Sequence, residues 1–592
     1  MPTTADTPRT PSPEVLPSLD AALAAWEHHG RPGVPDRGFT LSRLPGHRRR
    51  GIYRAGDDAP VFEPDGHILR MAPSPDGRFI AVQLADRADE DAALALVDTA
   101  TGGVRTYPEV RCRYDPMLWS GDSARVELAA GGSHRWVRLD AATGRPRTTA
   151  VPPGVRLRLF PGGADGVLAE SRPGRPTVLT DRATGAELGA FPAVTRVLAA
   201  GGHALVHDGT GLHAFDPRGG TRLWSWADPS VRITAVAARG DEVLVAGVRA
   251  GRSVLLRVVA GAVVADRPVA YQGEPAVATE VGADADRFHV LIEGPVLPPR
   301  VVTAGGLLAD RAAATAPPAF ARTEEHAFGA DDGVDVPVVV TSPVGATGPA
   351  PLILTCYGGF GVPSLPAFEP TVPAWVEHGG RYAIAQIRGG GEHGAAWRAA
   401  GRGAAKERGI ADLAAVARGL IRAGLTRPDL LVLAGASHGG VIAAACALAS
   451  PGLCAGVVST AAPLDLLNLG AHPLGERWIG EFGGPDDPER PERLRRISPL
   501  HRARELPAGT RPPRFLGIVL AEDSRVAADD TRAVVDALRQ AGGDAALWRA
   551  PGTGHGGNHL DSLHRLGAAV LSFAAIATRS ARTTPSTVGK GC

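Results

Sequence analysis

Leu430-Leu-Val-Leu-Ala-Gly-Ala-Ser-His-Gly-Gly440 is the stretch whose reading decides the fold. The apolar run Leu430 to Ala434 reads as a buried strand, Gly435-Ala-Ser-His-Gly439 as a sharp turn, and Val441 to Leu448 as a helix. A strand that breaks into a helix with serine at the corner is a nucleophile elbow. Small neighbours let its backbone bend, and the helix N-terminus favours developing negative charge. Ser437 is therefore the candidate nucleophile. In a chain with 75 glycines the five-residue pattern alone is weak, so its surroundings must carry the assignment.

After Phe320 strands alternate with helices, the signature of a largely parallel α/β sheet. Strands are predicted at Val336 to Thr341, Pro351 to Thr355, Tyr382 to Gln386, Leu430 to Ala434, Ala455 to Ser459, Phe515 to Leu520 and Ala546 to Arg549. Helices are predicted at Ile410 to Ala423 (Leu413, Val416 and Leu420 on one face), at Val526 to Ala541 (Val534, Ala537, Leu538), and at Leu560 to Ala577 (Leu563, Leu566, Val570, Phe573). Open α/β sheets bind ligands at the carboxyl ends of their strands. In α/β-hydrolases the catalytic order along the chain is serine, acid, histidine. The strand ending at Leu520 runs into Ala521-Glu-Asp-Ser-Arg-Val526, and the strand ending at Arg549 into Pro551-Gly-Thr-Gly-His-Gly-Gly557. Asp523 and His555 are the natural partners of Ser437: a serine hydroxyl needs a base, and the base needs a carboxylate that fixes its tautomer. Glu522 is the rival acid, disfavoured because it leaves the strand in another direction. His555 and His559 have metal-pair spacing, but Gly556-Gly557 lies between them and no metalloprotease glutamate is present, so no metal site is expected. Gly389-Gly-Gly-Glu-His-Gly394 formally matches a dinucleotide loop but lacks the helix and the acidic ribose partner, and it is read as a tight loop beside the active site.

Upstream, from about Gly38 to Ala312, short strands alternate with turns. Asp98-Thr-Ala-Thr-Gly102, Asp140-Ala-Ala-Thr-Gly144, Asp181-Arg-Ala-Thr-Gly185 and Asp216-Pro-Arg-Gly-Gly220 repeat with the roughly 40-residue period of a propeller blade. Weaker members follow at Val259-Ala-Gly261 and Thr303-Ala-Gly305, and Ser74-Pro-Asp-Gly77 fits a hairpin turn in the first clear blade. Six blades are countable, with a degenerate seventh between Phe39 and Gly66. The fold expected is thus an α/β-hydrolase catalytic domain plus an all-β propeller. The domains expected are an N-terminal segment at 1–37 with a short helix at Ala21 to His28, a propeller at 38–315, a catalytic domain at 316–580 and a tail at 581–592.

Composition narrows the function classes. With 63 basic against 62 acidic residues, nothing suggests a nucleic-acid partner. Only Lys406 and Lys590 are lysines, which reads as the coding bias of a GC-rich genome. Met1 to Asp20 lacks the basic start and apolar core of a secretory signal, and no apolar run approaches the length of a membrane span. Cys112, Cys356, Cys446, Cys454 and Cys592 form no CxxC pair, so a reducing cytoplasm is the expected compartment.

The α/β half resembles the prolyl oligopeptidase family of serine peptidases. The matching segments are Cys356-Tyr-Gly-Gly-Phe360, Gln386-Ile-Arg-Gly-Gly-Gly-Glu392 through Trp397, Leu433 to Gly440, Arg477-Trp-Ile-Gly-Glu-Phe-Gly483, Ser498-Pro-Leu-His501, Asp523-Ser-Arg-Val526 and Gly554-His-Gly556, in family order over about 200 residues. The resemblance implies that Tyr357 and the backbone N–H of His438 hold the oxyanion. It implies that Trp478 floors a proline pocket completed by Phe360, Phe482 and Val526, and that Arg525 binds a substrate carbonyl. An apolar slot with an aromatic floor suits the compact proline ring. Two positions depart from the family: His438 stands where Asn is usual, and Phe482 where Tyr is usual. The implied activity is endoproteolysis of short peptides after proline through an acyl-enzyme, with the propeller restricting access to oligopeptides. The alternatives are acylaminoacyl, dipeptidyl or basic-residue specificity, an esterase, or an inactive propeller scaffold. Glu481 is the one nearby acid that could serve basic-residue cleavage. The expected partner is a proline-containing oligopeptide, with no cofactor, no metal, no nucleic acid and no membrane, and the chain acting as a monomer.

Overall fold

The structure, a computed structural model, describes residues 13–131, 134–161, 165–308, 320–484, 486–556 and 558–579. The expected boundary at 315/316 and the tail at 581–592 lie outside these. The described residues form two compact units, one of 28–308 and one of 13–27 with 320–579. The N-terminal segment expected as one piece at 1–37 is therefore divided at Glu27/His28.

The first unit is a seven-bladed β-propeller. Five four-stranded sheets (67–112, 117–150, 156–191, 196–226, 232–268) stand between three-stranded sheets at 39–62 and 277–303, with a two-stranded ribbon at 270–275. The degenerate seventh blade read between Phe39 and Gly66 is the first of these. The Asp-x-x-x-Gly repeats join the third and fourth strands of successive blades, and their chemistry explains the repetition. Asp98, Asp140 and Asp181 each accept backbone N–H groups inside the turn, from Ala100 and Thr101, Thr143, and Thr184 respectively. Gly102, Gly144, Gly185 and Gly220 have φ of 70°, 67°, 73° and 67°, a left-handed conformation that glycine adopts without steric cost. Thr303-Ala-Gly305 departs from the expectation, because a short helix, Ala304–Leu308, begins there instead of a hairpin.

In the second unit the strands are β1 Ala321–Gly329, β2 Asp335–Pro343, β3 Leu352–Cys356, β4 Arg381–Ala385, β5 Leu431–Ala436, β6 Gly456–Thr460, β7 Arg514–Leu520 and β8 Ala545–Ala550. They form one sheet of order β1-β2-β4-β3-β5-β6-β7-β8, antiparallel as far as β4 and parallel from there on. The helices used below are α1 Pro17–Glu27, α2 Glu407–Arg422, α3 His438–Ala449, α4 Gly475–Phe482, α5 Asp529–Gln540 and α6 Leu560–Arg579. Alternation along each strand feeds two cores. Leu352, Leu354, Leu431 and Leu433 face α2 and α3, while Ile353 and Val432 face α1 and α6.

Two predicted helices shift. The one expected from Val526 begins at Asp529, because residues 523–528 turn around a carboxylate instead. In α6 Leu566, Val570 and Phe573 of the expected face pack, partly buried, against the core. Ala568, Leu571, Ala574 and Ala575 form the core there, and Leu563 is 48% exposed. Small residues let the helix lie close to the sheet. By length and composition α6 is the one described helix that passes for a membrane span, contrary to the sequence reading, yet it packs on α1 and the sheet.

Candidate active site

Ser437 sits between β5 and α3 with φ 53° and ψ −124°, a conformation rare outside glycine that this turn imposes. Its N–H is tied to the Thr460 carbonyl at 2.8 Å, and its carbonyl accepts from Gly440 at 3.0 Å. The flanking glycines are steric necessities. A Cβ on Gly435 would overlap the Gly439 carbonyl, and one on Gly439 would overlap the Cys356 carbonyl at the end of β3.

Asp523 and His555 lie on the loops after β7 and β8. His555 Nδ1 and Asp523 Oδ2 are 2.9 Å apart, with the Asp523 side chain 3% exposed and that of His555 11%. The other oxygen of Asp523 accepts the N–H groups of Arg525 (2.8 Å) and Val526 (3.0 Å). This carboxylate therefore has fixed donors on both oxygens, and the carboxylate side of the histidine takes the Nδ1–H tautomer that leaves Nε2 as the basic nitrogen. Glu522 takes no part in this pair; its N–H is held by the Thr553 carbonyl.

Tyr357 follows β3 directly. Its hydroxyl is hydrogen-bonded to the Ser437 side chain, and burial pushes its pKa up, which keeps it a neutral donor. The charge of Arg525 acts on the same hydroxyl. Gly389 closes the loop behind this turn: its carbonyl accepts the Gly361 N–H at 3.0 Å, and Glu392, fully buried, accepts the Ser364 N–H at 2.6 Å.

The residues expected to line a pocket separate into two groups. Trp478 on α4 is half-buried, with one face against the His472 ring at 5.6 Å. His472 accepts the Ala527 N–H at Nδ1 (3.0 Å), so its Nε2–H donates to Asp530 (3.0 Å). The indole's support is thus tied to the loop that carries Asp523. Val526, 5% exposed, lies on that loop. Phe482, expected as a pocket wall, is instead 2% exposed and packs against the imidazole of His438 at 5.6 Å, with Phe360 edge-on to the same ring at 5.7 Å.

Sequence reasoning did not find the role of Lys406. Its ammonium reaches Glu481 Oε1 at 2.6 Å and His438 Nε2 at 3.2 Å, all three residues being at most 4% exposed. A signal existed: a chain that uses arginine almost everywhere keeps a lysine here. Glu481, the acid considered for basic-residue recognition, is committed to this pair. Among the described residues no cluster of His, Cys, Asp or Glu is arranged to hold a metal ion.

Residues 366–579 match a sequence profile described as the prolyl oligopeptidase family. Over this segment the chain is similar to that family. An uncharacterized peptidase, y4nA, of Sinorhizobium fredii is 37% identical over 198 residues, 33% of this chain and 27% of that protein. A prolyl endopeptidase of Elizabethkingia miricola is 33% identical over 207 residues, 34% of this chain and 29% of that one. The chain thus spans less than a third of the length of the curated relatives it matches. A solved structure from a study of two prolyl endopeptidases superposes with a TM-score of 0.80 over 95% of this chain and 92% of that one at 21% identity, a likeness of fold. His438, which follows Ser437 in the turn, is buried and hydrogen-bonded on both ring nitrogens.

Proposed function

We propose that the protein is a serine endopeptidase that cleaves short peptides on the carboxyl side of proline through an acyl-enzyme. The observation that carries the chemistry is the Asp523–His555 pair at 2.9 Å on the loops that follow β7 and β8, in the same sheet whose β5 ends in the Ser437 elbow. In this reading Ser437 Oγ attacks the substrate carbonyl while His555 Nε2 takes its proton. The imidazolium is stabilised by Asp523 and later gives the proton to the leaving amine. The tetrahedral oxyanion receives two preorganised donors, the Tyr357 hydroxyl and the His438 N–H at the first turn of α3. Water then releases the peptide acid by the same steps in reverse.

Proline preference is supported by the half-buried Trp478, whose orientation the His472–Asp530 pair fixes, and by the relatives named as prolyl endopeptidases. Arg525, whose charge acts near the Tyr357 hydroxyl, is suited to a substrate carbonyl one residue before the proline. Cleavage after Arg or Lys finds no support in Glu481, whose carboxylate neutralises Lys406. The propeller is given the role of limiting substrates to oligopeptides, and a cytoplasmic monomer remains part of the proposal.

The test pairs two chromogenic peptides that differ only in proline or alanine before the scissile bond. Ser437→Ala should abolish turnover of both without changing thermal stability. Trp478→Ala should lower kcat/KM on the proline peptide by about 10- to 100-fold more than on the alanine peptide, the scale set by losing a buried aromatic contact of about 1–3 kcal/mol. Equal losses would overturn the pocket assignment, and turnover retained by Ser437→Ala would overturn the mechanism.

A further inference from the structure

His438 has a second part to play beyond its backbone N–H. Its ring fills the space beneath the Tyr357–Phe360 turn so tightly that a Cβ on Gly359 would stand 2.6 Å from Nδ1. Nδ1 lies 2.7 Å from the backbone carbonyl of Tyr357, and Nε2 lies 3.2 Å from the Lys406 ammonium. An ammonium has no lone pair, so Nε2 can only accept there, and the one ring proton must reside on Nδ1 and be donated to the Tyr357 carbonyl. Lys406 keeps its charge against burial because Glu481 Oε1 lies 2.6 Å away and the Phe482 ring presents its face at 5.6 Å.

We infer that the buried series Glu481–Lys406–His438 is a positioning relay: it fixes the tautomer of His438, which grips the backbone of Tyr357 and so aims the Tyr357 hydroxyl at the oxyanion. This rests on the reading of Tyr357 as an oxyanion donor. His438 is thereby a residue with two functions, its backbone N–H facing the site and its side chain setting the other donor. A histidine donates on the correct side only while its other nitrogen is held as an acceptor.

The experiment is a mutant cycle on the full chain. Tyr357→Phe should reduce kcat by about 100-fold with KM little changed, the scale for one lost oxyanion donor. Lys406→Met alone leaves Glu481 buried with only the more distant Arg402 Nε, 4.0 Å from Oε2, and is expected to destabilise the fold. The informative variant is therefore Lys406→Met/Glu481→Gln, which removes both charges together. Its melting temperature should stay near the parent's, while kcat falls by about 10- to 100-fold, a loss of the size that follows from slight misplacement of a catalytic group. Affinity for a peptide aldehyde, which forms a tetrahedral adduct on Ser437, should fall in proportion, with KM unchanged. In a His438→Ala background the same double change should cost nothing further, because the grip it maintains is already gone. A stable double variant with parental kcat and aldehyde affinity would overturn the relay, as would losses that simply add to that of His438→Ala. Undiminished kcat in Tyr357→Phe would overturn the oxyanion reading, and the relay with it. An impaired Tyr357→Phe beside an unimpaired double variant would overturn the relay alone.

Discussion

At the scale of single residues, the site depends on protons being on the intended atoms. Asp523 is committed on both oxygens, to His555 at 2.9 Å and to the Arg525 and Val526 amides, so it cannot turn to present anything else. Asp523→Asn would preserve that shape but could offer an N–H to Nδ1 and so favour the tautomer with the proton on Nε2. The expected result is a fall in kcat of about 10⁴ with the fold intact, measured on the proline peptide, whereas Glu522→Gln should leave kcat near the parent value. Equal effects of the two substitutions would show that the acid has been misassigned. The pairing of Asp523 with His555 was legible from sequence because both follow predicted strands at fixed places in the chain order. The Lys406–Glu481–His438 series was not, since its members are 32 and 75 positions apart and only folding makes them neighbours.

At the scale of elements, α1 and α6 come from opposite ends of the chain and pack on the same face of the sheet, joined by an ionic contact. His564 on α6 donates from Nδ1 to Glu27 (2.8 Å) and from Nε2 to Asp20 (2.9 Å), both on α1. Burial alone would lower the pKa of this imidazole, but the two carboxylates outweigh it and the net shift is upward from 6.5. A histidine raised on folding adds stability that is fully present below its unfolded pKa and is lost as pH rises through its folded pKa. Protection of α1 from hydrogen exchange should therefore be greatest below about pH 6.5 and decline as pH rises through and above that value. His564→Gln should remove that decline, and a parent profile flat from pH 5.5 to 8.5 would refute the contact's importance. The helix itself was legible as a helix, and its buried face in part, since Leu566, Val570 and Phe573 pack against the core. Large residues drew the predicted stripe toward Leu563, whereas contact with the sheet selected Ala568, Ala574 and Ala575, whose small side chains allow close approach.

At the scale of the whole molecule, the propeller's first and last sheets share no strand among the described residues, and the segment preceding the first sheet reaches the last one. Arg31 makes a two-pronged contact with Glu293 (2.9 and 3.0 Å), whose side chain is 2% exposed, and Gly282 leaves room for Val34. Glu293→Ala should cost about 1–3 kcal/mol, the loss of a paired partner to a charge that is still partly hydrated. Exchange should rise in peptides covering 28–43 and 277–303 and stay unchanged in 320–579; a uniform rise would refute a local closure. The sequence by itself determined what depends on neighbours in the chain: the strand-to-helix corner at Ser437, the Asp-x-x-x-Gly hairpins of the blades, and the strand order that puts an acid and a histidine on successive loops. Each follows from backbone sterics and hydrophobic period, which act over a few residues. Only the tertiary structure decided which side chains share a buried space. It packed Phe482 and Phe360 against the His438 ring, it turned Glu481 from a candidate specificity residue into the counter-ion of Lys406, and it gave His438 its partners on both nitrogens. Those outcomes depend on desolvation and hydrogen-bond geometry between distant segments, which no local pattern encodes.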